Sequence, residues 1–275
     1  MDYHLEGRVA IVSGGSRGIG RSIAETLAAE GARVVIASRT LSNLEEAAEH
    51  IETFAPGRVH AVAADMTDPA GVADVVAATH ERFGPVEIAV SNVIGHVIDV
   101  SREGEGPGAG SFRTLDPGDY RDEFRQLFVS SWALARACIP DMRSQGWGRL
   151  FNIGSHVARE PATHLPHVLP NVVRPAVAGM HRLLAAQLAA DGITVNNILT
   201  GSILTERNAS YWQWLAGSRG QSVEEVTASA TADIPLGRMG QPGEMAALVA
   251  FLSSEQAGRI TGQSISVTGG TAAHV

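Results

Sequence analysis

Short runs of β-branched and other apolar residues alternate along this chain with longer segments that carry apolar residues at helical spacing. The short runs predict buried strands over residues 8–13, 33–38, 58–63, 86–91, 149–153, 193–199 and 264–267. The longer segments predict helices over residues 18–30, 42–53, 117–145, 175–190 and 242–252, with one more opened by Asp68-Pro69. Strands that alternate with helices form a parallel sheet covered on both faces, with right-handed crossovers. The pattern therefore predicts a single doubly wound Rossmann-type α/β domain over residues 1–275.

Two segments interrupt this alternation. Residues 97–112 are rich in glycine and predict an irregular loop, and residues 202–235 form a long insertion between a strand and a helix. Both follow strands, so both emerge at the carboxyl edge of the sheet, where open α/β sheets bind ligands. We interpret residues 202–235 as a substrate lid, the alternative being a variable surface loop.

Composition narrows the class of protein. The net charge is −8 and no block of basic residues occurs, which argues against nucleic-acid binding. No segment reaches the roughly 18 apolar residues of a membrane span, and the N-terminus lacks the pattern of a signal peptide. The single cysteine, Cys138, excludes an intrachain disulfide, lies in an apolar stretch and predicts a buried side chain. We therefore expect a cytoplasmic protein that acts on a small molecule, without a metal ion.

A glycine-rich turn, Ser13-Gly-Gly-Ser-Arg-Gly-Ile-Gly20, joins the first strand to the first helix. Glycines let the backbone approach a pyrophosphate, and the helix start offers it free N–H groups. Enzymes that use NAD commonly carry an acid about 20 residues past this loop. The second strand instead ends in Ser38-Arg39, and Arg39 with Arg17 can bind a 2′-phosphate. We therefore predict NADP(H) rather than NAD(H).

Several motifs together resemble the short-chain dehydrogenase/reductase family over nearly the whole chain. They are the Ser13–Gly20 turn, Asp65, Ser91-Asn-Val-Ile94, Val195-Asn196 with Thr200-Gly201 through Thr205, Ile260-Thr-Gly-Gln263 and Val267-Thr-Gly-Gly270. Within the family, Trp147-Gly-Arg149 and Pro235-Leu-Gly-Arg238 look most like ketoacyl-carrier-protein-reductase-type members. The turn and the resemblance together give a predicted cofactor site of Gly14, Ser16, Arg17, Gly18, Ile19, Gly20, Ser38, Arg39, Asp65, Met66, Asn92, Gly201 and Ile203.

The catalytic pattern of that family is only partly present. Its serine corresponds to Ser155 in Asn152-Ile-Gly-Ser155. Alignment of the following helix on Gly179 places Pro170 and Arg174 on the usual tyrosine and lysine, whereas an ungapped alignment from Ser155 places Val168 and Val172 there. The helix asparagine position falls on Leu127.

Proton transfer must then come from other side chains. Arg174 does not deprotonate at neutral pH, but it can bind ribose hydroxyls or stabilise an oxyanion, the alternative being a structural arginine. His164 and His167 lie in the segment that normally precedes the tyrosine, and His156 follows Ser155. We select His167, since the six residues between it and Arg174 match the Tyr-to-Lys spacing of enoyl-reductase-like relatives.

The lid contributes three aromatic candidates, Tyr211, Trp212 and Trp214. If they line the pocket they favour an apolar or aromatic substrate, and Tyr211 could act as a replacement donor. Alternatively, the three rings only pack the lid helix against the rest of the domain.

Three functions remain open from the sequence. The first, which we favour, is an atypical NADP(H)-dependent oxidoreductase that reduces a carbonyl or oxidises an alcohol. The second is a non-redox enzyme on the same fold, a cyclase, dehydratase, isomerase or lyase in which the nucleotide is structural or absent. The third is a nucleotide-binding module or inactive subunit. Relatives pair through two long helices, here residues 117–145 and 175–190, so the resemblance also implies a homo-dimer or homo-tetramer.

Overall fold

A computed structural model describes residues 2–93, 95, 115–161 and 168–272 of the chain. Seven parallel strands form one sheet in the order β3-β2-β1-β4-β5-β6-β7. The strands are β1 (Val9–Ser13), β2 (Arg33–Ser38), β3 (Val59–Ala63), β4 (Ile88–Ser91), β5 (Gly148–Ser155), β6 (Ile193–Thr200) and β7 (Ser264–Val267). The predicted doubly wound sheet is confirmed, and its order reverses between β1 and β4.

The helices lie between successive strands. They are α1 (Gly18–Ala29), α2 (Leu41–Glu52), α3 (Pro69–Arg82), α4 (Pro117–Phe124), α5 (Ser130–Gln145), α6 (Val168–Leu188), α7 (Glu206–Arg219), α8 (Val223–Ala232) and α9 (Pro242–Ser253). Short 3₁₀ segments follow β5 (His156–Ala158) and α6 (Ala189–Asp191). None of the helices in the described ranges is long and apolar enough to cross a bilayer.

Two apolar layers cover the sheet, because neighbouring residues of a strand point to opposite faces. On one face, Ala10 and Val12 pack with the apolar sides of α1, α2 and α9. On the other face, Ile11 packs with α3, α5 and α6. Cys138 is fully buried in this second layer, as predicted, and burial raises the pKa of its thiol.

The long helix predicted over residues 117–145 is present but not uniform. Its middle turn, Arg125–Val129, is π-helical and separates α4 from α5. A π turn holds an extra residue and is frequent at functional sites. The side chains of α4 are therefore rotated about the helix axis from the positions that a continuous α-helix over residues 117–145 would give them.

Two predicted helix starts need correction. The second helix begins at Leu41, with Thr40 as N-cap, one residue before the predicted start at residue 42. The sixth begins at Val168 and contains Pro175 within it. Apolar residues recur at helical spacing before that proline, so their burial offsets its missing N–H group.

The insertion at residues 202–235 holds α7 and α8, which pack against each other. The start of the insertion pairs with the segment that follows it, since Leu204 N donates to Gly240 O at 2.8 Å and Gly240 N donates to Ser202 O at 2.9 Å. The glycine-rich residues 97–112, for which we predicted an irregular loop, lie outside the described residues.

Candidate active site

The carboxyl ends of β1 and β4 meet at the point where the strand order reverses. Ser13 connects the two ends: its Oγ accepts from Asn92 N at 2.9 Å and donates to Val90 O at 3.2 Å. Ligands of open α/β sheets bind in the crevice at such a switch point. The predicted glycine turn begins here.

Two glycines of the turn allow its backbone to lie directly against Asn92, because a side chain at either position would collide with its neighbours. Gly14 has φ +63°, and a Cβ there would lie 2.2 Å from Asn92 O. A Cβ on Gly20 would lie 2.1 Å from Gly14 O and 2.5 Å from Asn92 Nδ2. Asn92 Nδ2 in turn donates to Gly14 O at 3.3 Å. The start of α1 is thereby held against the ends of β1 and β4.

The first turns of α1 and α2 are open to an anion. Neither N-cap, Arg17 or Thr40, makes a side-chain capping bond, and neither first turn contains an acidic residue. By contrast, side chains close the starts of α3, α4, α7 and α8, through Asp68, Asp116, Thr205 and Ser222. At α9, the side chain of Glu244 accepts from Gln241 N. Uncapped helix starts bind phosphate through free N–H groups and the helix dipole.

The space between these two helix starts has further groups suited to phosphate. The Oγ of Ser38 is buried and has no hydrogen-bond partner among the described residues. Arg39 is exposed beside it, and Arg17 Nη2 donates to Asn43 Oδ1 at 2.7 Å, which ties the α1 N-cap to the first turn of α2. An orphaned hydroxyl and two guanidinium groups fit the phosphate of a 2′-phosphorylated dinucleotide.

Asp65 provides an acceptor at the end of β3. Thr67 donates to its Oδ1 from N at 2.9 Å and from Oγ1 at 2.8 Å. These bonds, with the charges of Arg39 and Arg125, lower the pKa of Asp65. The carboxylate is therefore ionised and exposed, while the neighbouring Met66 is buried. An ionised, exposed carboxylate at this position can accept a hydrogen bond from an amino group of a ligand.

The lid base also contacts the glycine turn. A Cβ on Gly18 would lie 3.3 Å from Thr205 Cγ2, and Gly201 lies against Thr268. Ile203 is buried, with its side chain against Gly240, so only its backbone remains for a cofactor. The remaining two predicted residues of the turn, Ser16 and Ile19, are buried and half-buried.

Ser155 lies at the carboxyl end of β5, paired in register with Thr200. It is half-buried, and the 3₁₀ segment after it packs against α6. That helix carries Pro170 and Arg174, both half-buried, so the structure brings Ser155 and the Arg174 helix to one edge. The other predicted catalytic residues, His164 and His167, lie outside the described residues, as does Ile94.

The lid aromatics form a cluster on α7. Tyr211 stacks on Trp214 with ring centroids 6.0 Å apart and meets Trp212 edge-on at 5.0 Å. Burial raises the pKa of Tyr211, which makes its hydroxyl a weaker acid. The Nε1 of Trp212 is buried without a partner. The three rings offer an apolar surface with one unused donor.

Sequence analysis missed Glu123, one helical turn before Leu127. Its side chain is fully buried, and a Cβ on Gly95 would lie 2.4 Å from its Oε1. The burial of this α4 carboxylate has no signal in the local sequence, because it lies among the polar residues of Pro117–Phe124, which are typical of an exposed helix. It also missed Asn43, the partner of Arg17.

Comparison with known proteins gives consistent matches over the whole chain. Residues 14–272 match the family model described as enoyl-(acyl carrier protein) reductase. The 3-oxoacyl-(acyl-carrier-protein) reductase of Vibrio cholerae is 30% identical over 97% of this chain and 98% of its own length. The 2,3-dihydroxy-2,3-dihydro-p-cumate dehydrogenase of Pseudomonas putida is 33% identical over 97% and 95%.

A solved structure matches the fold closely. L-sorbose reductase from Gluconobacter frateurii, complexed with NADPH and L-sorbose, superposes with a TM-score of 0.91 at 30% identity and covers 100% of both chains. The family match and the fold match therefore agree, and the related structure holds NADPH.

Proposed function

Because the chain belongs to the short-chain dehydrogenase/reductase family of oxidoreductases, we propose that it is an NADP(H)-dependent carbonyl reductase for an apolar or aromatic small molecule. The reverse reaction would oxidise the corresponding alcohol. The observation that carries the proposal is the pair of uncapped helix starts, α1 and α2, which flank the buried and unpartnered Ser38 hydroxyl.

The choice of NADP(H) over NAD(H) rests on charge. Arg39 directly follows β2, and Arg17, the N-cap of α1, reaches Asn43 in the first turn of α2. The related L-sorbose reductase was solved with NADPH. A charge-assisted hydrogen bond contributes about 1.5–3 kcal/mol, or roughly ten- to a hundredfold in affinity. We expect Arg39→Asp to weaken NADPH by that factor and to leave NADH nearly unchanged.

Arg33→Asp is the matched control, because Arg33 is an exposed arginine at the opposite end of the same strand. Fluorescence titration with both nucleotides measures the effect. Equal losses of NADPH and NADH in Arg39→Asp would contradict the phosphate assignment.

The chemistry follows from the groups at the carboxyl edge. Bound NADPH would supply the hydride for the carbonyl carbon. Ser155 donates a hydrogen bond to the carbonyl oxygen and so stabilises the negative charge that develops there. Arg174 adds positive charge or holds ribose hydroxyls, but as an arginine it does not transfer the proton. A histidine of the segment after Ser155 transfers it, and the sequence singles out His167 and His164.

The substrate class rests on the lid. The rings of Tyr211, Trp212 and Trp214 offer apolar area, and the free Trp212 N–H suits a substrate that also carries an oxygen acceptor. A panel of aromatic, aliphatic and sugar ketones, followed by NADPH absorbance, tests both the reaction and the class. NADPH oxidation with aromatic ketones supports the proposal, whereas a preference for sugars would contradict the substrate class.

A second candidate is a non-redox reaction on the same site. It is favoured by one observation: α6 carries Pro170 and Arg174 at the alignment positions of the family tyrosine and lysine. Mass spectrometry of the same panel without nucleotide distinguishes the two. Turnover without NADPH would replace the redox proposal, and binding of NADPH without turnover would indicate a binding module.

We also propose that the chain forms a homo-dimer or homo-tetramer through α5 and α6. Apolar side chains are exposed on α4, α5 and α6: Phe124, Trp132 and Leu183 are 41%, 40% and 67% exposed. The half-buried Phe128 of the π turn stacks on Phe124 at 4.5 Å. Exposed apolar patches of this kind mark interfaces. Leu183→Glu should lower the mass in analytical ultracentrifugation, and an unchanged mass would contradict this interface.

A further inference from the structure

The 3₁₀ segment after β5 places a histidine next to Ser155. His156 is half-buried, and its Nδ1 lies 3.3 Å from the carbonyl oxygen of Thr200. Thr200 is the last residue of β6, and its Oγ1 donates to Gly154 O at 3.0 Å. Two bonds therefore tie the segment around Ser155 to the end of the neighbouring strand.

The partner of Nδ1 determines which nitrogen carries the proton. A backbone carbonyl only accepts, so in the neutral ring Nδ1 is the donor and Nε2 keeps the lone pair. Within the part of the chain that the structure describes, Nε2 makes no hydrogen bond, and it is not among the buried unpartnered atoms. Nε2 is thus the nitrogen that remains available to a ligand.

From this geometry we infer that His156 is the catalytic proton donor, delivering its Nε2 proton to the substrate oxygen that Ser155 polarises. The inference rests on the proposed carbonyl reduction and names His156 in place of His167. It accounts for the absence of the family tyrosine, because imidazole is the side chain best suited to proton transfer near neutral pH.

The two-electron reductant would be bound NADPH, which would give up a hydride and become NADP+. The carbonyl carbon accepts that hydride with its electron pair, and the π pair of the C=O bond moves to oxygen. A new O–H bond forms there as the Nε2–H bond of the His156 imidazolium breaks, leaving neutral imidazole with Nδ1–H on the Thr200 carbonyl. Solvent returns one proton to Nε2, so the net change is one hydride and one proton added to the substrate.

The first test is spectroscopic and needs no turnover. In ¹⁵N-histidine-labelled protein, the His156 ring, assigned by its loss in His156→Gln, should show a protonated Nδ1 and an unprotonated Nε2 in its neutral form. The opposite tautomer would overturn the assignment, because Nε2 would then be engaged as a donor in the resting protein.

The second test is kinetic. His156→Ala should lower ketone reduction at least a hundredfold while NADPH affinity stays within threefold, and added imidazole should restore part of the rate. His156→Gln keeps an N–H group for Thr200 but transfers no proton, so it should be equally slow and not rescued. The matched control is His50→Ala, which removes an exposed histidine on α2 and should leave the rate unchanged.

Failures of the two proposals are distinguishable. A wild type that reduces no ketone refutes the proposed function, and the role of His156 with it. If the wild type reduces ketones and His156→Ala is equally fast, only the role of His156 as proton donor is refuted. If His167→Ala lost the ketone-reduction rate and regained it with imidazole, while His156→Ala did neither, the proton donor would be His167.

Discussion

The contact between Gly20 and Gly14 makes a quantitative prediction for Gly20→Ala. The added methyl would lie 2.1 Å from Gly14 O and 2.5 Å from Asn92 Nδ2, well inside van der Waals distance. Both neighbours are held: Gly14 is backbone in a left-handed turn, and Asn92 is bonded to Ser13. Something in the turn must therefore move.

The expected cost follows from overpacking. Inserting a methyl into a filled site typically costs 1–3 kcal/mol, and the gain from replacing a helical glycine by alanine offsets at most about 1 kcal/mol of it. We expect Gly20→Ala to lose about 1–2 kcal/mol of unfolding free energy. Displacement of the Gly14 backbone should also weaken NADPH at least tenfold, about 1.4 kcal/mol.

Gly243→Ala is the matched control, because Gly243 lies in the first turn of α9 and an added Cβ would meet nothing within 4 Å. It should be neutral or slightly stabilising, with unchanged NADPH affinity. Urea unfolding measures stability, and fluorescence titration measures affinity. If Gly20→Ala matched the control in both, the turn would not be the tightly packed cradle described above.

Three further results are expected. Ser155→Ala should lower turnover at least tenfold, about 1.4 kcal/mol in barrier, with NADPH affinity unchanged; an unchanged rate would remove Ser155 from the mechanism. Burial lowers the pKa of His181 to about 4, against about 6.5 when unfolded. The unfolded chain therefore binds the extra proton first as pH falls from 6.5 to 4, and stability should drop by up to about 3 kcal/mol over that window. Urea unfolding of His181→Gln should show a smaller drop than His50→Gln, and equal drops would contradict the shift. Native protein should leave Cys138 unreactive towards a thiol reagent until it is unfolded, since the side chain is fully buried.

The sheet was predictable because each strand is a short β-branched run ended by glycine, proline or a polar residue. Burial on both faces makes such runs apolar throughout, so their positions stand out without knowledge of their neighbours. The strand β2 was predicted to the residue, and β7 as well. The helix starts were less accurate: α2 begins at Leu41, one residue before the predicted start, and its N-cap Thr40 makes no side-chain capping bond that would mark the start.

The packing of the glycine turn at the switch point could also be predicted in outline, since Gly14, Gly20 and Asn92 all lie in local motifs. What the sequence does not contain is how distant segments meet. Asn43 reaches Arg17 across two elements, and the buried Glu123 lies beside Gly95 only because the helix returns over the end of β4. The location of His156 against Thr200 likewise depends on strand register.

The open first turns of α1 and α2 have a consequence for how long the protein persists. A ligand that binds only the native chain adds RT ln(1 + [L]/Kd) to its resistance to denaturation, about 2.7 kcal/mol at a hundredfold excess over Kd. No side chain caps the N–H groups at these two helix starts, so a bound phosphate would satisfy them. The coenzyme would then stabilise the fold as well as react. A fall in the nucleotide pool should therefore shorten the half-life of the enzyme, and not only slow its turnover.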